Sequence, residues 1–202
     1  MTILFLHGKE SGPGGRKPTY LAAQGLTVIN PALPADDFDE AVRIAQAAFD
    51  QHSPAVVVGS SRGGAVAMAV NSGQAGLVLL CPAWKKNGTT KVVKPASIIL
   101  HSVDDEIIPF SDSQALALNS KLAADQLIVV GDDHFLKTPE ALSMMAQVVN
   151  SWRDGREPKP RRAGLSLSHR RRRSCQGPES VSYTHLRAHE TKANLVCRLL
   201  LE

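Results

Sequence analysis

The chain has 202 residues, 43% of them hydrophobic, enough to bury the core of one domain and carry a tail. No apolar run approaches the ~18 residues of a helical membrane span, and MTILFLHG at the N-terminus has neither the basic start nor the cleavage site of a signal peptide. The formal net charge of +4 is unevenly divided: residues 1–157 hold 13 Lys+Arg against 16 Asp+Glu, a net of −3, and residues 158–202 hold 10 against 3, a net of +7. The first region therefore has no nucleic-acid signature, and the basic balance belongs to the tail. Cys81, Cys175 and Cys197 form no disulfide framework and no metal spacing, which predicts a reducing, cytoplasmic setting.

In chain order, Thr2–Leu6 (TILFL) reads as a first strand ending in His7-Gly8. The loop GKESGPGGRK leads to a short helix over residues 18–23, and Leu26–Asn30 reads as a second strand closed by PALP. GPGGRK is rich in glycine but lacks the G-K-[ST] of a phosphate-cradling loop. Residues 38–52 place Phe38, Ala41, Val42, Ala45, Ala48 and Phe49 on one helical stripe, with acids in the first turn. Residues 55–58 form a third strand and residues 63–70 begin a helix of small residues. Further strands are predicted over 76–80, 97–100 and 127–130, and helices over 111–122 and 139–152, the last with Thr138 as N-cap. Short, wholly apolar strands alternating with helices predict an α/β/α sandwich: a mostly parallel sheet covered on both faces.

Ligands of such sheets bind outside the carboxyl ends of the strands. Few polar residues follow the strands: His7-Gly8, Ser60-Ser61, Cys81-Pro82, His101 to Asp105, and Asp132-Asp133-His134. Gly59-Ser60-Ser61-Arg62-Gly63 fits G-x-S-x-G directly after VVV and before a helix, which makes Ser61 the candidate nucleophile. A serine needs a base, and the base needs an orienting carboxylate, in the chain order Ser, acid, His. Asp104, Asp105 and Glu106 are candidate acids after the fifth strand, and His134 is the candidate base after the sixth. His101 precedes the acids and reads as structural. His134 beside Asp132 and Asp133 hints at a metal, but no ligand cluster supports one, so no metal or cofactor is predicted.

HG after the first strand, GSSRGG, H-S-x-x-D-x-x-I-P and G-x-x-H together resemble the α/β-hydrolase family over residues 2–152, and in particular its small, lidless bacterial members, esterases and predicted hydrolases. The resemblance implies Ser61 as nucleophile, His134 as general base and Asp105 as the acid, with Asp104 as fallback. It also implies an oxyanion hole made by the backbone N–H groups of Arg62 and Lys9, with His7 in the oxyanion-hole turn. Two positions depart from the family pattern: Ser102 replaces the usual glycine after His101, and Arg62 stands where an apolar residue or Gln is common. Trp84 lies in the short CPAWKKNGTTKVVKP segment, where a cap would be inserted; it is a candidate wall of a substrate pocket or a packing residue on the elbow helix.

The implied activity is hydrolysis of a small carboxylic ester through an acyl-enzyme, with no nucleic-acid or membrane partner. A thioesterase or amidase would use the same residues, and a non-catalytic interaction module on this fold is the alternative from another class. Residues 158–202 are predicted to be a basic, disordered tail. The arginine run 170–173 is expected to be solvated rather than to bind nucleic acid. Within it, SYTHLRAHET and NLVCRLLLE resemble the two ends of a translated sequencing adapter, which implies a metagenomic chain running into library DNA.

Overall fold

The computed structural model describes residues 1–154. The predicted boundary at 157/158 and the reading of the tail lie outside the described residues. The elements are β1 (Thr2–Leu6), α1 (Arg16–Ala23), β2 (Thr27–Ile29), α2 (Phe38–His52), β3 (Val56–Ser60), α3 (Arg62–Ala69), β4 (Gly76–Leu80), β5 (Ile98–His101), α4 (Phe110–Asn119), β6 (Leu127–Val129) and α5 (Pro139–Ser151). All five strand pairings are parallel, so the sheet is wholly rather than mostly parallel, in the order β2-β1-β3-β4-β5-β6.

Alternate residues of each strand face opposite ways, and the core divides accordingly. Ile3, Phe5, Val56, Val58, Val78, Leu80, Ile98 and Leu100 face one layer, where Leu21 of α1 and Leu142, Met145 and Val149 of α5 cover them. Leu4, Leu6, Val57, Leu77, Leu79 and Ile99 face the other, under Ala41 and Ala45 of α2, Val66 and Ala67 of α3 and Leu116 of α4. The central strands β1, β3, β4 and β5 are buried on both faces and accordingly almost wholly apolar, while the edge strands β2 and β6 are partly exposed.

Predicted and observed element ends differ by a few residues. α1 starts at Arg16, two residues before Pro18, because the first helical turn tolerates proline. α4 ends at Asn119, and Lys121 follows with φ 53°, a left-handed residue that stops the helix short of Leu122. α2 has Asp37 as N-cap, its carboxylate accepting the Glu40 N–H at 2.9 Å.

The chain runs from β1 outward to β2, then returns across β1 to β3 and continues to the far edge. The order reverses between β1 and β3, and a crevice opens there at the carboxyl ends. His7-Gly8 and Ser60-Ser61 emerge at this crevice, where Leu6 pairs with Gly59. The close packing is made by glycine. A Cβ on Gly63 would strike the backbone carbonyls of Leu6 and His7. A Cβ on Gly59 would sit 2.5 Å from the Gly63 carbonyl oxygen and 2.7 Å from Ala67 Cβ.

Helix propensity alone makes Gly63→Ala a gain, since Gly63 lies in α3. The obstacle at Gly63 is backbone, which cannot rotate away. Gly63→Ala is expected to lower stability by about 2 kcal/mol or more. Gly12→Ala, where a Cβ meets nothing within 4 Å, is expected to stay within about 0.5 kcal/mol. Urea unfolding of the two variants checks the contrast; equal midpoints would refute the packing argument.

Candidate active site

Ser61 connects β3 to α3 with φ 54° and ψ −120°, a conformation costly for a residue with a Cβ, of order 1–3 kcal/mol. Three backbone bonds hold it there. The Ser61 N–H donates to the Leu80 carbonyl at 2.8 Å, and the Ser61 carbonyl accepts from Gly64 at 2.9 Å and Ala83 at 3.0 Å. The turn lifts the side chain off the sheet edge. Gly8 comes close enough that a Cβ there would lie 3.3 Å from Ser61 Cβ, so the His7-Gly8 turn rests on Ser61.

His134 reaches Ser61 from the loop after β6. Its Nε2 lies 2.9 Å from Ser61 Oγ and its Nδ1 lies 2.7 Å from Asp105 Oδ2. A carboxylate only accepts, so Nδ1 carries the proton and Nε2 accepts from the serine hydroxyl. Asp105 Oδ1 accepts the N–H groups of Ile107 at 2.9 Å and Ile108 at 2.8 Å. Burial pushes this carboxyl upward, but the Ile108 N–H, the His134 ring and the Ile107 N–H outweigh it and hold it below its ordinary range. Asp104, the fallback acid, is exposed, and the His134 ring bonds Asp105 instead.

His101 has a place that its sequence position did not indicate. It is fully buried, and its Nε2 lies 3.0 Å from the Ile108 carbonyl and 3.1 Å from Asp105 Oδ2. Both neighbours are acceptors, so Nε2 carries the proton, and Nδ1 accepts from Ser113 Oγ at 2.6 Å. Asp105 is thus held by two histidines and two backbone N–H groups. Ser102 adds a second tie: its Oγ donates to the Gly131 carbonyl at 3.0 Å and accepts the Asp104 N–H at 3.1 Å, joining the acid loop to the histidine loop. A glycine at this position could not do that.

His7, Lys9, Ser61, Arg62 and His134 share a cleft of about 320 Å³. The two ring nitrogens of His7 serve its own loops: Nε2 accepts the Leu33 N–H at 3.1 Å and Nδ1 lies 2.9 Å from the Gly8 carbonyl. The Arg62 guanidinium is buried, donates to the Asp37 carbonyl at 2.9 Å and lies 5.7 Å from the Phe38 ring. Its charge therefore braces α2 against α3, while its N–H opens α3, where backbone donors lack helical partners. Trp84 is a correction: it does not line the cleft. It packs in the second core layer with Val66, Ala67 and Met68, and its Nε1 donates to the Asp112 carbonyl at 3.0 Å. An indole in a dry core needs one acceptor, and α4 supplies it.

Among the described residues, Cys81, Asp105 and His134 are the one group of metal-ligand types with donor atoms within 4.8 Å of one another. Burial pushes the Cys81 thiol far above its ordinary range, so it stays protonated and is a poor metal ligand. The other two donors are already bonded to each other.

Burial lowers the His101 ring below its ordinary value near ~6.5 despite the Ile108 carbonyl and Asp105. The folded protein then binds fewer protons at this site than the unfolded chain does. Stability from this group is complete above the unfolded value and falls as pH drops from about 6.5 toward the folded value. His101→Gln retains an N–H donor for Asp105 and removes the titration. Unfolding midpoints between pH 7 and pH 5 are expected to fall less in the variant than in the wild type. Equal slopes would show that His101 contributes nothing to the acid sensitivity.

The fold and site invite comparison with known proteins. A family model described as the alpha/beta hydrolase family matches residues 3–196. No curated protein matches the sequence at a significant level. Among solved structures, a candidate hydrolase of the alpha/beta superfamily from Xanthomonas campestris pv. campestris is 24% identical with TM-score 0.58, over 76% of this chain and 98% of that one. The esterase domain of a Rhodothermus marinus protein is 17% identical with TM-score 0.54, over 75% and 84%. Est1E from Butyrivibrio proteoclasticus is 14% identical with TM-score 0.56, over 76% and 87%. At such identities the likeness speaks for the fold, and the family match carries the assignment: this chain belongs to the alpha/beta hydrolase family.

Proposed function

We propose that the protein is a serine hydrolase that cleaves small carboxylic esters through an acyl-enzyme. One observation carries this reading: Ser61, His134 and Asp105, from three separate loops, form an unbroken hydrogen-bonded line of 2.9 and 2.7 Å at the mouth of a cleft. Each link has its chemical use. Ser61 Oγ attacks the ester carbonyl carbon while His134 Nε2 takes its proton. The carbonyl oxygen becomes an oxyanion, for which the N–H of Arg62 and the N–H of Lys9 are the proposed donors.

The imidazolium that forms is stabilised by Asp105, which stays ionised because its own pKa is held down. Collapse of the tetrahedral intermediate breaks the carbon–oxygen bond to the alcohol, which leaves with the proton from His134. A water molecule then gives its proton to His134 and attacks the acyl carbon, releasing the acid and restoring Ser61. The cleft has no cap domain above it among the described residues, which suits short acyl chains. The Rhodothermus marinus domain is named as an esterase domain, in agreement with this reading. A cytoplasmic setting completes the proposal.

The test is labelling with a fluorophosphonate together with hydrolysis of short aryl esters. The wild type is expected to label at Ser61 and to hydrolyse the esters. Ser61→Ala is expected to lose the label and at least ~10³-fold in kcat. Asp105→Asn is expected to lose on the order of 10⁴-fold, because an amide at this position favours the wrong histidine tautomer. A wild type that is folded yet neither labels nor turns over would favour a non-catalytic interaction protein.

A further inference from the structure

The charges lining the cleft differ from those of the rest of the domain. Residues 1–157 are net negative, with 13 cationic and 16 acidic side chains. The cleft is lined by Lys9, Arg16, Lys17, Arg62, Lys86 and Lys137 against one carboxylate, Glu10. Two of these cations already serve the protein: Lys9 pairs with Asp36 at 3.0 Å, and Arg62 holds the Asp37 carbonyl. Lys86 donates to the Ile107 carbonyl at 2.8 Å and keeps its charge uncompensated. Arg16, Lys17 and Lys137 have no carboxylate within 4.0 Å among the described residues.

Lys17 stands beside the reacting centre. Its Nζ donates to Ser60 Oγ at 3.1 Å, one residue before the nucleophile. An ammonium has three donors, and this hydroxyl takes one, leaving donors for a ligand. Burial lowers the ammonium to about 8, so it is still largely protonated at neutral pH, and a nearby anion favours that charged form.

The local sequence points the same way. Arg16 and Lys17 are the first two residues of α1, whose N-cap Gly15 makes no side-chain cap and whose first turn holds no acid. The helix dipole favours acids there and opposes cations. A sequence that places two cations at that end acts against its own helix, and departures of this kind collect at functional sites.

We propose that the cleft selects esters that carry an anionic group, a carboxylate a few atoms from the reacting carbonyl, and that Lys17 binds it while Arg16 and Lys137 add to the positive field. This rests on the ester-hydrolase reading for the reaction but makes a separate claim about binding. The volume of about 320 Å³ suits a small molecule of this kind. The compact ammonium would meet the carboxylate as a point charge without bidentate geometry.

The experiment compares the aryl monoester of glutaric acid with the aryl ester of butyric acid, at low and high salt. The wild type is expected to prefer the anionic ester at least tenfold in kcat/KM, and 0.5 M NaCl is expected to shrink that preference. Lys17→Met is expected to reduce the ratio of the two kcat/KM values tenfold or more, mainly through KM for the anionic ester, and Lys17→Arg to retain most of it. Glutarate is expected to inhibit butyrate-ester hydrolysis competitively, and the neutral glutaramide not to. Turnover of both esters with equal kcat/KM, or an unchanged ratio in Lys17→Met, overturns the proposal and leaves the hydrolase reading standing. If neither ester is turned over, the hydrolase reading fails. Calorimetric binding of glutarate then decides this proposal alone, with tighter binding by the wild type than by Lys17→Met supporting it and equal or no binding overturning it.

Discussion

The contact between the β3–α3 turn and the end of β1 is the constraint from which the rest of the site follows. Ser61 can hold its positive φ because the surroundings leave it no alternative: Leu80, Gly64 and Ala83 fix its backbone groups, and Gly63 lies against the carbonyls of Leu6 and His7. Any side chain at Gly63 would force α3 away from β1. The His7-Gly8 turn would then leave Ser61, and the proposed oxyanion donors on Lys9 and Arg62 would separate. Packing energy from two dry core layers thus maintains a strained residue at the surface of the sheet. The cost of the strain is of order 1–3 kcal/mol, small against the burial of some three dozen apolar residues.

Asp105 does for the polar half of the site what the glycines do for the backbone. A carboxylate offers about four acceptor positions, and here Ile107, Ile108 and His134 fill three while the His101 ring lies 3.1 Å from Oδ2. A buried charge without such partners would protonate. With them it stays ionised and can stabilise an imidazolium on His134. The second histidine also removes a degree of freedom. His101 is anchored by Ser113 of α4 and by the Ile108 carbonyl, so Asp105 cannot rotate away from His134 without breaking bonds on both sides. Ser102, by donating to the Gly131 carbonyl, ties the acid loop to the histidine loop.

Much of this was legible in the sequence, for a physical reason. Parallel strands buried on both faces read as unbroken apolar runs, and chemistry on such a sheet gathers at one edge, so the polar residues after each strand form a short inventory. TILFL, VVV, GLVLL and SIIL gave the sheet, and G-S-S-R-G with later Asp105 and His134 gave an ordered set that the fold brings together. What sequence order could not supply was the destination of long side chains and the sharing of acceptors. Arg62 departs from the family pattern beside Ser61, and its guanidinium turns to the Asp37 carbonyl, 25 positions earlier in the chain. Trp84 turns inward for the same kind of reason: the Asp112 carbonyl of α4 takes its Nε1 proton while its ring packs in the second core layer. His101 reads as a strand-end structural residue, and only the return of the chain at Ile108 gives its Nε2 proton a carbonyl acceptor, 3.1 Å from Asp105.

The cations of the site divide along the same line. Arg62 emerges from the most tightly packed point of the molecule, so its charge must find partners inside the protein, and it finds a carbonyl and an aromatic face. Lys17 emerges from the N-terminal end of α1, and its ammonium donates to the Ser60 hydroxyl at 3.1 Å. Two positive side chains flank Ser61, but one is an internal brace and the other lines the cleft. The difference lies in what each backbone position leaves within reach, and not in the residue type. The domain therefore keeps a net negative surface while presenting a positive opening next to the serine, an arrangement that focuses an anion's approach on the reacting centre.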